Sequence, residues 1–211
     1  MARGKFIVIE GCDGSGKSTL ARALVEELNN QQRGTMLLRE PGGCSRSEAI
    51  RNLALSNDLM GANANARMLL MFAARIQLCK ETIEQALEQG INVVCDRYYI
   101  STGVYQVIGE GASVELFESL IQHVTVPDRI YLLKATFETS YTRTLDRDQK
   151  DRNGYDDISL GRKKKLWSAY DVMTPADLEY YAHKTHAFLL DSETKGSAAL
   201  VAEILTTLPL R

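Results

Sequence analysis

Residues Gly11-Cys12-Asp13-Gly14-Ser15-Gly16-Lys17-Ser18 fit the spacing G-x-x-x-x-G-K-[ST] and follow directly on the apolar run Phe6-Ile7-Val8-Ile9-Glu10. That order constrains the chain to a buried strand, a glycine loop, and a helix opening at the lysine. Glycines lack Cβ, so successive backbone N–H groups can turn inward around a polyphosphate. On this reading Gly11, Asp13, Gly14, Ser15, Gly16, Lys17, Ser18 and Thr19 line a nucleoside triphosphate site. Lys17 reaches the outer phosphates, and the Ser18 hydroxyl holds the Mg²⁺ that travels with them. The helix N-terminus adds its own attraction for anions.

The rest of the chain continues the alternation. Strands are predicted over 6–10, 36–39, 91–95, 129–133 and 187–190, and helices over 17–29, 47–55, 64–89, 114–124, 136–146, 160–181 and 198–207. Such alternation implies an α/β fold, a parallel sheet of about five strands covered by helices on both faces. Ligands of these sheets sit beyond the carboxyl ends of the strands, where Glu10, Arg39-Glu40 and Asp96-Arg97 fall. The 211 residues suit a single domain over 1–211, with the polar stretch 149–157 as an excursion rather than a boundary.

Charge narrows the partners. Lys plus Arg number 25 and Asp plus Glu 27, a net charge of −2, which argues against a nucleic-acid or membrane-surface binder. No apolar run approaches the ~20 residues of a membrane span. A first strand beginning at Phe6 leaves no room for a signal peptide. Cys12, Cys44, Cys79 and Cys95 have neither disulfide-framework nor zinc spacing, as expected of reduced thiols in a cytoplasmic protein.

Four further groups carry chemistry. Arg39-Glu40-Pro41-Gly42-Gly43, with Arg51 nearby, sets charge beside a backbone break, which favours a site role for Glu40 over a solvated surface carboxylate. Asp96 ends an apolar strand, the usual place to hold Mg²⁺ through water, and Arg97 offers a planar fork for phosphate. The competing reading is a structural pair capping the sheet. Phe72 and Arg75 share a helix face, where a ring can stack on a nucleobase and a guanidinium can read its oxygen. Spacing alone favours a core Phe with an outward Arg. Arg143, Arg147 and Arg152 surround the polar excursion, where a closing loop can bring an arginine to transferring phosphate. By composition the reading slightly preferred is a solvated basic face balanced by Asp146, Asp148 and Asp151. Trp167 and Tyr170, on helical spacing, read as core or interface residues. The guanine-reading N-K-x-D of a nucleotide switch is missing, while a deoxynucleoside kinase would need a general base such as Glu10 or Asp96.

Together these segments resemble the thymidylate kinase family, P-loop enzymes that phosphorylate deoxythymidine monophosphate (dTMP). The matching pieces are Gly11–Thr19, Arg39-Glu40-Pro41-Gly42-Gly43 with Glu48 and Arg51, Phe72-Ala73-Ala74-Arg75-Ile76-Gln77, Asp96-Arg97-Tyr98 with Ser101 and Tyr105-Gln106, and Pro127-Asp128. The resemblance implies a nucleoside-monophosphate kinase fold with a lid at about 143–158. It implies ATP and dTMP as substrates, Mg²⁺ held by Ser18 and Asp96, and a homodimer packed through the apolar faces of 64–89 and 114–124. It assigns Glu40, Pro41, Arg51, Phe72, Arg75, Arg97, Ser101, Thr102, Tyr105 and Gln106 to the acceptor, with Phe72 stacked on thymine, Arg75 on its carbonyl and Tyr105 against the 2′ edge of the sugar. Asp13 would help position acceptor phosphate and metal. Relatives with Arg at the place of Gly14 deliver the catalytic cation from the P-loop. Bacterial-type relatives use the lid, which points here to Arg152 with Arg143 or Arg147, beside Lys17 and Arg97. The chain departs from the family pattern at Cys44, where Thr is usual, at Lys134, where many relatives have Asp, and at Val107–Gly111, changes of the sort that a relative acting on another 5-substituted deoxyuridine monophosphate would show.

Overall fold

The computed structural model describes residues 2–59, 61–145, 155, 158–181 and 185–208. Five strands, β1 (Phe6–Gly11), β2 (Thr35–Arg39), β3 (Asn92–Asp96), β4 (Arg129–Lys134) and β5 (His186–Asp191), form one parallel sheet in the order β2-β3-β1-β4-β5. This is the five-stranded α/β arrangement that the alternation predicts.

Period-two alternation explains why both faces are covered. Phe6 and Val8 of β1, with Ile130 and Leu132 of β4, point into one apolar layer, while Ile7, Ile9, Tyr131 and Leu133 point into the other. The second layer is closed by α1 (Lys17–Asn30) and α10 (Ser197–Thr207) through Leu20, Leu24, Leu28, Leu200 and Ile204. The first layer lies under α3 (Ala64–Leu78), α4 (Glu84–Glu88), α6 (Val114–Ile121), α8 (Leu160–Asp171) and α9 (Pro175–Tyr181). Each fully buried aliphatic side chain contributes about 1.5–3 kcal/mol, so the two-sided sheet is the main reservoir of stability.

Local chemistry sets the boundaries. Asn63 caps α3 by accepting from the Asn65 and Ala66 amides, at 3.0 and 3.3 Å, and Ser113 caps α6 by accepting from Leu116 at 3.1 Å. Cys44 precedes α2 (Ser45–Ala54) without a side-chain cap. Asp128 ties β1 to β4 at the amino end of the sheet, accepting from the Phe6 amide at 2.9 Å and from Arg3 at 2.8 Å.

Three segments differ from the sequence reading. The predicted helix over 64–89 is interrupted by a wide π-type turn at Cys79–Ile83. The predicted helix over 160–181 is two helices, because Pro175 lacks an N–H and opens α9 at its first position. After Asp96 the chain forms α5 (Tyr99–Thr102) and a second π turn, Gly103–Gly109, for which the sequence reading offered no element. Such turns recur at functional sites because they re-aim side chains.

In register, Ile9 stands beside Asp96, Arg39 beside Asp96, and Gly11 beside Leu133. The carboxyl ends of the inner strands are therefore level, and the loops leaving them share one face. Leu24→Ala should cost about 2–5 kcal/mol in urea unfolding, because the site is fully enclosed. Leu145→Ala, at a position 64% exposed, should stay within about 0.5 kcal/mol.

Candidate active site

The glycine loop leaves β1 and delivers the N-terminus of α1 to the shared face, with Gly16 at φ 95°. Lys17 is buried, and its ammonium donates to the Cys12 carbonyl at 2.6 Å. Burial, then the Arg97 charge, lower its pKa, while Asp13 and Asp96 pull it back up. The ammonium therefore sits in a dry cradle where an incoming anion gains most. Ser18 donates its hydroxyl to the Asp96 carboxylate, whose other oxygen is buried without a hydrogen-bond partner. A hydroxyl beside an unspent carboxylate oxygen fits a hard divalent cation. Among the described residues no group of three or more His, Cys, Asp or Glu could hold a metal, so such an ion would take its other ligands from phosphate and water.

Gly14 lies at φ 78° with the Ser140 backbone of α7 (Phe137–Leu145) directly against it. A Cβ here would overlap the Ser140 carbonyl. The Cys12 thiol meets the Ser140 hydroxyl at 3.3 Å, so α7 is packed tightly on the loop. Arg143, on the same helix, donates to the Gly14 carbonyl at 3.4 Å and to Ser192 O at 3.3 Å.

Beside the loop is a cavity of about 130 Å³. Its wall includes Asp13, Glu40, Pro41, Arg51, Arg75, Arg97, Ser101, Thr102, Tyr105 and Gln106, ten positions assigned to the site from sequence. Arg97 forms its floor, and its backbone is left-handed at φ 72°, a conformation that costs a non-glycine residue about 1–2 kcal/mol. Its guanidinium donates to Asp13 at 2.6 Å, Ser101 at 2.9 Å and Tyr170 at 3.2 Å. Tyr105 donates to the other Asp13 oxygen at 2.6 Å. Beneath Arg97 the fully enclosed Glu10 accepts from the Tyr98 amide at 2.7 Å, the Ser101 amide at 3.1 Å and the Ser101 hydroxyl at 2.8 Å.

At the other end, Glu40 and Arg75 form a buried pair at 2.5 Å, and Arg75 also donates to Thr102 at 3.1 Å. One Arg75 terminal nitrogen and one Glu40 oxygen are buried without hydrogen-bond partners. Burial pushes the Glu40 carboxyl up to about 7, with Arg75 opposing. Arg51 is half-buried in the wall, its Nε also lacking a partner, and burial and then Arg39 lower its pKa against Glu48.

Phe72 does not line this cavity. It is fully buried, edge-on to Phe117 at 5.8 Å, with the Arg75 guanidinium 4.9 Å from its ring centre, and Met71 lines the wall instead. Arg147 and Arg152 lie outside the described residues. Sequence reasoning missed Tyr155, which accepts from Gln106 at 2.6 Å and packs edge-on to Tyr105. It also read Tyr170 as core or interface only. The ring is buried, but its hydroxyl lies on Arg97 and Ser101. No local signal marks it, because its partners are about seventy positions away in the chain.

A family model described as thymidylate kinase matches residues 9–168. A thymidylate kinase of Chlamydia felis is 36% identical over 83% of this chain and 86% of its own length. One of Ruegeria pomeroyi is 34% identical over 97% and 95%. The crystal structure of thymidylate kinase from Ehrlichia chaffeensis superposes with a TM-score of 0.71 at 24% identity, covering 99% of this chain and 100% of that one, a likeness of fold.

Gly14→Ala should lower stability by about 2 kcal/mol or more, read as a reduced urea midpoint, because strain and overlap act together. Glu40 is higher in the folded chain, about 7, than its ordinary 4.5. Its contribution is therefore complete below pH 4.5 and lost as pH rises through 7, by up to about 3 kcal/mol. Subtracting the Glu40→Gln pH–stability curve from that of the natural chain should reveal this decline.

Proposed function

The chain belongs to the thymidylate kinase family and is a phosphotransferase of that kind, and we propose that it moves the γ-phosphoryl group of ATP to dTMP across the junction of glycine loop and cavity. The observation that carries this reading is the Arg97–Asp13 bond, which joins the cavity floor to the triphosphate loop. A cation there serves the phosphate of an acceptor and the loop that grips the donor together. The acceptor phosphate already has nucleophilic oxygens, so no strong base is required, and catalysis rests on positioning and charge. Glu10, the base a sugar-hydroxyl kinase would want, is enclosed and spends its oxygens on the Tyr98 and Ser101 amides and the Ser101 hydroxyl.

In this mechanism Lys17 leaves the Cys12 carbonyl for the outer phosphates of ATP. Arg51 and Arg97 hold the acceptor phosphate, Asp13 orients it through Arg97, and the unpartnered Arg75 nitrogen bonds the base carbonyl. Thr102 and Gln106 face the base and Tyr105 closes the 2′ edge of the sugar, while Phe72, buried behind the wall with Arg75 over its ring, backs the base end through Arg75 instead of stacking on the base. Ser18 and Asp96 would hold Mg²⁺, which would supply neutralisation of phosphate charge. Arg152 supplies the lid cation, with Arg147 or Arg143 in support. The Arg143 guanidinium beside the Gly14 carbonyl supports its part.

The chain acts as one domain and as a homodimer. Leu69 of α3 and Val114 of α6 are exposed apolar side chains on the two predicted interface segments, which supports that pairing. Sedimentation at a dimer mass checks it, and a monomer at micromolar concentration overturns it. Four free cysteines support a cytoplasmic setting, and no helix among the described residues is long and apolar enough to cross a membrane.

Lys17→Ala and Arg97→Ala should each slow steady-state turnover on the order of 10³-fold, the scale of lost transition-state charge stabilisation. Near-normal rates would remove both residues from the mechanism. Arg152→Ala should depress kcat far more than acceptor affinity. A panel of nucleosides and monophosphates with ATP, scored for diphosphate product, should respond to dTMP above all.

A further inference from the structure

Lys134 ends β4 where many thymidylate kinases carry Asp, and nothing in the phosphoryl-transfer reading uses it. Its ammonium donates to three carbonyls, Tyr170 O at 2.6 Å, Asp171 O at 2.6 Å and Met173 O at 3.0 Å. That spends all three of its protons. The acceptors lie at and just beyond the C-terminal end of α8, where the helix dipole favours a cation, and Tyr170 O also accepts from the Met173 amide at 3.3 Å. An Asp there could donate nothing. The Lys134 carbonyl is in turn held by the Ser192 amide and hydroxyl, both at 2.9 Å, so the strand end is itself anchored. A second tie runs in parallel, from the Trp167 indole N–H to Ala135 O at 2.9 Å.

What this anchorage places is Tyr170, the residue whose carbonyl Lys134 takes. Its hydroxyl lies 2.9 Å from the Ser101 hydroxyl and accepts from Arg97 at 3.2 Å. The Arg97 guanidinium is held in direction by the side chains it reaches, Asp13, Ser101 and Tyr170. We propose that Lys134 is a positioning residue for the phosphate grip, clamping the end of α8 to the sheet so that the Tyr170 hydroxyl holds Arg97 toward the acceptor. This rests on the reading that Arg97 binds the acceptor phosphate.

The test uses the whole chain with MgATP and dTMP as varied substrates, comparing Lys134→Met, Lys134→Arg, Tyr170→Phe, the Lys134→Met/Tyr170→Phe double variant and Arg97→Ala. Lys134→Met should raise KM for dTMP about tenfold, the size of one lost charged hydrogen bond, with KM for ATP unchanged. Tyr170→Phe should give the same split, and the double variant should be no worse than the worse single one. Lys134→Arg, which keeps N–H donors, should recover part of the loss. A folded Lys134→Met with unchanged KM for dTMP overturns the clamp, as do multiplying effects in the double variant. If Lys134→Met does not fold, Tyr170→Phe decides: unchanged KM for dTMP overturns the proposal. Arg97→Ala with undiminished acceptor affinity would instead overturn the reading of Arg97 itself.

Discussion

Glu10 gives up its hydration at the end of the central strand and takes in exchange two amides and a hydroxyl from the segment after β3. A buried carboxylate is costly unless its oxygens are filled, and here the filling groups belong to the turn that carries Arg97. Burial raises its pKa, with Arg97 and these hydrogen bonds opposing. The left-handed Arg97, the start of α5 and the Ser101 hydroxyl are thus consequences of one interaction beneath the site. The phosphate-facing surface is built outward from an interior polar knot on β1.

The two ends of the cavity are organised differently. Around Arg97 its own guanidinium, the Tyr105 hydroxyl and the amides of Tyr98 and Ser101 all have acceptors, which makes that end rigid before a ligand arrives. Around Arg75 and Arg51, nitrogen atoms are buried without partners. Unmet donors in a dry wall carry a desolvation cost that an incoming oxygen relieves, so this end gains most from occupancy. On the proposed reading, affinity at one end and geometry at the other divide the work of holding a monophosphate.

The strand–loop–helix at the start, the sheet and, of the ten cavity-wall positions, Asp13, Glu40 and Arg97 were legible from local pattern, whereas Pro41, Arg51, Arg75, Ser101, Thr102, Tyr105 and Gln106 were reached only through the family resemblance. Apolar runs mark strands buried on both faces, and charged residues at their ends mark the binding edge. The π turns were not legible, since their side-chain spacing in Gly103–Gly109 is hardly distinguishable from a helix or loop. Pro175 was a local signal that should have split α8 from α9. Tyr170, Ser140 and Tyr155 were hidden for another reason. Their roles come from residues brought against them by the fold, and a hydroxyl on a core ring looks like any other core tyrosine in sequence.

The contact between Gly14 and Ser140 has a consequence for how such enzymes can diverge. With α7 seated on the loop, a longer side chain at that position has no volume to enter, whatever its charge. Placing an arginine in the loop at position 14 therefore demands a prior retreat of α7, which would also disturb Cys12 and Arg143. In this chain the residue at position 14 is thus decided by the seating of α7 before it is decided by charge.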